Sequence, residues 1–165
     1  KIPKMKFVFP EEKETETMLP TIPLYDFYAA AGSFSEMQSE KNYTKLEVPS
    51  KYDSSNYFAC EIIGESMNRV IPNGSICLFK KYEGGSRNGK IVLVENFDEQ
   101  DPDFNSAFTI KTYSSSKIVS EESWSHAAIT LRPNSFDPTY KPISIDESNS
   151  QGMRIVGEFV KVIDK

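Results

Sequence analysis

Histidine, cysteine and long apolar runs are what this 165-residue chain has least of, and each scarcity removes a class of chemistry. The one histidine, His126, and the two cysteines, Cys60 and Cys77, form no CxxC pair and no Cys/His cluster. No metal site, no cofactor and no disulfide framework is therefore expected. The cysteines lie in strand-like runs and read as small buried hydrophobes of a protein kept in a reducing cytosol. No window of roughly 18 apolar residues exists, so no membrane-spanning helix is expected. Positive charge is also short: 19 Lys and Arg face 24 Asp and Glu, for a net charge of -5. Phosphate neutralisation dominates nucleic-acid affinity, so these residues make a poor DNA binder, and DNA would be reached only through a domain outside them. The chain opens on Lys1 without a signal-peptide pattern and reads as a piece of a longer protein or a processed product, in the cytoplasm.

What the chain does have is punctuation. Ten prolines and eight glycines, with many Ser, Asn and Asp residues, cut it into short segments. That favours strands over helices. Hydrophobic residues make up 38% of the chain, and its mean hydropathy is -0.46, which suits a modest core with long polar connections. Residues 1–20 are charged and bounded by proline, and read as a linker or extended arm. Residues 21–165 read as one domain. Strands are expected over 21–28, 57–63, 75–81, 90–96, 107–113, 127–132, 141–145 and 153–163. Residues 33–55 look irregular apart from a short extended piece at 46–48. Residues 66–70 suit one helical turn, 98–106 a polar loop and 114–116 a turn. The fold class is mainly β, of many short, mostly antiparallel strands behind an extended amino-terminal arm.

Three pieces carry chemistry. Ser66 follows an apolar strand in Gly64-Glu65-Ser66-Met67, where a tight turn exposes a hydroxyl and the Ser66 and Met67 backbone N–H groups are placed to hold an oxyanion. A serine attacks only if a neighbour takes its proton. His126 sits in a Ser-rich stretch that reads as a surface loop, and Lys111, within Phe108-Thr109-Ile110-Lys111-Thr112-Tyr113, is an alternative base that on local sequence also reads as a solvated strand lysine. A lysine serves as base only when neutral, which requires its pKa to fall from ~10.4 to near ~7 or 8. Burial between β-branched and aromatic neighbours acts in that direction. Lys80, Lys81, Lys90 and Lys117 compete for the role on local sequence alone. The third piece is Ala29-Ala30-Ala31-Gly32, whose small side chains fit a narrow cleft and whose glycine lets the backbone kink. Read without the other two pieces it is a hinge.

The order PLYDFYAAAGSF, GESMNRVIPNGSICLF, GGSRNGKIVLVE, FTIKTY, ITLRPNSFDPTYKPI and RIVGEFVKVI resembles the self-cleaving LexA/phage-repressor peptidases, with UmuD-type proteins in the same group. The likeness runs from about Ile22 to Ile163. It implies a LexA-like peptidase fold in which Ser66 is the nucleophile, Lys111 the general base and Ala31–Gly32 the scissile bond, within a cleavage-site loop at 28–34. It also implies a homodimer formed through the carboxy-terminal strands, a RecA-like filament or another trigger as activator, and a role in a phage repressor or DNA-damage-response regulator. A non-catalytic dimerisation or interaction module of a larger DNA-transaction protein, or an UmuD-like polymerase accessory subunit, are the alternatives. Two departures stand out: Ser75 replaces a frequent aspartate, and residues 95–106 look like an inserted polar loop.

Overall fold

The computed structural model describes residues 19–27, 33–96, 107–120, 123–146 and 152–164. Nine strands and one short helix follow in the order β1 (Thr21–Tyr25), α1 (Phe34–Ser39), β2 (Thr44–Glu47), β3 (Tyr57–Ile62), β4 (Ser75–Lys81), β5 (Ile91–Asn96), β6 (Phe108–Ser120), β7 (Ser123–Arg132), β8 (Ile143–Asp146) and β9 (Met153–Asp164). They form one sheet in the spatial order β2-β1-β3-β4-β9-β5-β6-β7-β8. Every neighbouring pair is antiparallel except β1 with β3. The mainly β, mostly antiparallel class read from the sequence is the observed one.

The core is built by strand alternation, because successive side chains point to opposite faces. On β3, Phe58, Cys60 and Ile62 join the largest buried cluster, whereas Ala59 joins another with Ile22, Val48, Tyr52 and Leu78. On β5, Leu93 faces the first cluster, while Val92 and Val94 pack with Tyr113, Ile129 and Leu131 in a third. The central strands are therefore buried on both sides, which is why they read as near-continuous apolar runs. Gly157 on β9 is needed for this packing: a Cβ there would lie 2.7 Å from the Phe58 ring. Cys60 and Cys77 are opposite one another across β3 and β4, fully buried and unbridged. Burial pushes both thiols up, Cys77 to about 12, so they behave as packing groups.

Four local expectations change. The stretch 33–55 is not irregular throughout: it holds α1, opened by a capping box in which Ser33 Oγ accepts from the Glu36 N–H and Glu36 Oε2 accepts from the Ser33 N–H, and then β2. Residues 114–116 are not a turn. β6 runs straight through them, with Ser114, Ser115 and Ser116 paired to Thr130, Ile129 and Ala128 of β7. The partner strand supplies the pairing that the small polar residues did not advertise. His126 lies on β7 opposite Ile118 rather than in a loop. Glu95 belongs to β5 and is buried, so it is not part of a polar insertion. The expected arm up to residue 18, the cleavage-site residues 28–32 and the loop from 97 to 106 lie outside the described residues.

Candidate active site

Ser66 stands on a turn between β3 and β4 that is locked from several directions. Gly64 enters it at φ 124°, a backbone conformation that side-chain-bearing residues rarely adopt, and donates its N–H to Asn73 Oδ1 at 2.8 Å. After Ser66 the chain makes one helical turn, with the Val70 and Ile71 N–H groups donating to the Met67 carbonyl. Met67 and Ile71 are fully buried in the largest cluster, so the turn is nailed to the core on one side. On the other side the Leu131-Arg132-Pro133-Asn134 segment holds it. The Asn134 N–H donates to the Ser66 carbonyl at 2.8 Å and the Arg69 N–H to the Asn134 carbonyl at 3.1 Å. Asn68 adds a third tie, accepting from the Phe136 N–H while donating to Glu65.

Lys111 is on β6, paired with Val92 of β5. Its Nζ lies 3.0 Å from Ser66 Oγ, although the two residues are 45 positions apart in the chain. The same Nζ reaches Thr109 Oγ1 at 2.9 Å and the Ile110 carbonyl at 3.1 Å. Thr109 stands two residues earlier on the same strand face, so alternation places its hydroxyl beside the amine. Ser66 is 8% exposed and Lys111 4% exposed. In all three contacts Nζ is the donor, to the Ser66 and Thr109 hydroxyls and to the Ile110 carbonyl. No acceptor among the described residues takes the N–H of Ser66 or of Met67.

The competing lysines are placed elsewhere. Lys90 is half exposed and paired with Glu158 at 3.3 Å. Lys80 is exposed at the end of β4, and Lys81 lines a groove of about 470 Å³ with Arg87 and Arg154. The side chains of Lys117 and His126 lie outside the described residues. Among the described residues no group of His, Cys, Asp and Glu is arranged to hold a metal ion.

Ala31 and Gly32 lie outside the described residues, but both flanks of that segment are placed. Phe27 before it is fully buried against Phe108, with ring centroids 4.3 Å apart, and Phe34 after it packs on Tyr25 and Phe58 at 5.1 Å. The Phe34 N–H is accepted by Glu95 Oε2 at 2.9 Å, while Glu95 Oε1 has no hydrogen-bond partner among the described residues. Sequence reasoning missed Thr109, Asn68, Asn73 and Glu95. Only Thr109 left a usable signal, as a hydroxyl two positions from the lysine on a strand.

No described helix is long and apolar enough to cross a membrane. No curated protein matches the chain. The family model described as Peptidase S24-like matches residues 23–160, a span that contains Ser66, Lys111 and both flanks of residues 28–32. The chain therefore belongs to the Peptidase S24-like family and carries a peptidase-type domain of the LexA, UmuD and phage-repressor kind.

Proposed function

We propose that this domain is an intramolecular serine peptidase that cuts its own Ala31–Gly32 bond. The observation that carries this reading is the 3.0 Å approach of Lys111 Nζ to a buried Ser66 Oγ. Neutral Lys111 accepts the Ser66 hydroxyl proton as Oγ bonds to the Ala31 carbonyl carbon. The Ser66 and Met67 N–H groups hold the resulting oxyanion. Collapse breaks the C–N bond, and the proton on Lys111 passes to the Gly32 amine. Water then attacks the ester, giving its proton back through Lys111 and leaving a free Ala31 carboxylate and a regenerated Ser66. A substrate carried in the same chain supplies proximity without a binding step.

The biological setting proposed is the regulatory part of a phage repressor or DNA-damage-response regulator, cytoplasmic and homodimeric, with cleavage set off by a RecA-like filament or another trigger. Residues 159–164 of β9 pair with β4 alone, and Val160 and Ile163 in that stretch are exposed, which leaves a place for a second copy to meet this strand.

Mass spectrometry of the intact protein across a pH series tests the catalytic reading. Cleavage after Ala31 is expected to accelerate with pH as Lys111 loses its proton. Ser66→Ala and Lys111→Ala are each expected to slow it by at least roughly a thousandfold. Cleavage at the parent rate in either variant sinks the mechanism. A parent chain that stays whole, with and without an activating filament, favours the non-catalytic interaction module.

A further inference from the structure

The proposed break falls between two parts of one sheet. β1 lies on the amino-terminal side of residue 31, and every element it touches lies on the other side. It pairs with β2 through Thr21–Glu47, Ile22–Leu46, Pro23–Lys45 and Leu24–Thr44, and with β3 through Leu24–Ala59 and Tyr25–Cys60. The Pro20 carbonyl adds a bond from the Val48 N–H at 2.9 Å. Side chains of β1 and of Phe27 just after it enter two core clusters: Ile22 packs with Val48, Tyr52, Ala59 and Leu78, while Tyr25 and Phe27 pack among Phe34, Phe58 and Phe108. All three are buried to 2% exposure or less. The sheet order adds a consequence, since β2 is hydrogen-bonded to the rest of the sheet only through β1. Removing β1 would strip one neighbour from β3, detach β2 and open two clusters to water.

We infer that the slot between β2 and β3 is a strand-binding site for the segment Pro20–Phe27, and that cleavage at Ala31–Gly32 yields a two-chain complex rather than two separate products. This rests on the proposed position of cleavage. The peptide recognised is extended and apolar, with main-chain hydrogen bonds along both edges for affinity and pockets for Ile22, Tyr25 and Phe27 for specificity. Hydrolysis of the 31–32 bond removes covalent continuity but none of these contacts. An output that depends on shedding the amino-terminal piece then requires a second event that peels β1 out of the sheet.

The test makes the cut without using the chain's own chemistry. A recognition sequence for a site-specific protease is inserted between Ala31 and Gly32 in a Ser66→Ala chain, and the purified protein is nicked. Denaturing electrophoresis should show two pieces, and native size exclusion at micromolar protein a single peak. The urea midpoint of the nicked protein should also become concentration-dependent, as for any two-chain assembly. A matching chain lacking residues 1–18 should behave identically after nicking. Separation of the pieces overturns the inference, whether the larger one stays folded or precipitates. Co-elution that is lost with residues 1–18 overturns the assignment to Pro20–Phe27. Because an added protease makes the cut, these outcomes are independent of whether the chain cleaves itself, which the Ser66 and Lys111 variants decide.

Discussion

The turn that carries Ser66 and the clamp that flanks residues 28–32 end in the same aromatic cluster, yet polar bonds fix the first and ring packing fixes the second. Around Ser66, backbone and amide groups of Asn73, Asn134 and Asn68 hold the loop, and most of those atoms are near solvent. Around residues 28–32, Phe27, Phe34 and Tyr25 are sunk into the core and pack at an angle or edge-on against Phe58 and Phe108. The difference separates precision from retention. Hydrogen bonds have narrow geometry and set where Oγ stands. Apolar burial is non-directional and sets whether the substrate-bearing segment stays attached.

Truncating the clamp should therefore cost the most stability. Phe27→Ala empties a site between Phe34, Phe58 and Phe108. We expect it to lower unfolding free energy by about 3–5 kcal/mol in urea titrations. A loss below about 1 kcal/mol would mean that the ring does not anchor this segment.

High pH attacks the same side. Burial, helped by the neighbouring Tyr43, pushes the Tyr25 hydroxyl up from 10.0 to about 12, and burial alone pushes Cys77 from 9.0 to about 12. Both groups fold in the neutral, protonated form. Their contribution is complete below the unfolded pKa and is lost as pH rises toward the folded one. Thermal melts of the Ser66→Ala chain should fall steeply above pH 9 to 10. Cleavage in the parent should accordingly rise with pH and then collapse as the fold gives way. A flat melting profile from pH 8 to 12 would contradict the buried placement of both groups.

The polar side should respond in the opposite manner. Asn73→Ala removes the acceptor of the Gly64 N–H at an exposed position, a change worth about 1 kcal/mol in stability. The expected signature is a cleavage rate that falls about a hundredfold while the unfolding free energy drops by only about 1 kcal/mol, since a displaced nucleophile loses its alignment with Lys111. If rate and stability fall together in proportion, the turn is only a structural loop.

This division also explains what the sequence disclosed. Strands buried on both faces announce themselves as apolar runs, so β3, β4 and β5 are legible nearly to the residue. α1 is not, because six residues are too few to show a helical period, and only its Ser33–Glu36 capping pair marks it. In the sequence β6 ends at Tyr113, because the serines after it carry no apolar alternation and pair only because β7 is there. Ser66 and Lys111 could each be named as a candidate, but their approach across 45 positions is a property of the folded sheet. Asn68 and Asn73 were invisible for the same reason: an asparagine in a loop reads as a turn former until its partner is placed.

Asp137 supplies the smallest effect and a control on the polar side. It lies in the 133–139 loop that braces the Ser66 turn, where it accepts from the Thr139 N–H at 2.9 Å and from the Thr139 hydroxyl at 2.7 Å. Those bonds hold its carboxyl below the ordinary aspartate value, with the backbone bond the larger cause. A lowered folded pKa means the contribution is present above the unfolded value and is lost only as pH falls through the folded one. The loop should thus keep its shape below pH 4, where ordinary aspartates have begun to protonate. Following the Thr139 amide by NMR in the Ser66→Ala chain should give a midpoint under 3.8, and Thr139→Ala should move the Asp137 carboxyl back toward it. Because the aspartate is exposed and touches neither Ser66 nor Lys111, Asp137→Asn should leave cleavage at neutral pH unchanged. A marked loss of cleavage in that variant would show that the brace transmits charge as well as position, and the polar half of the site would then extend outward to this loop.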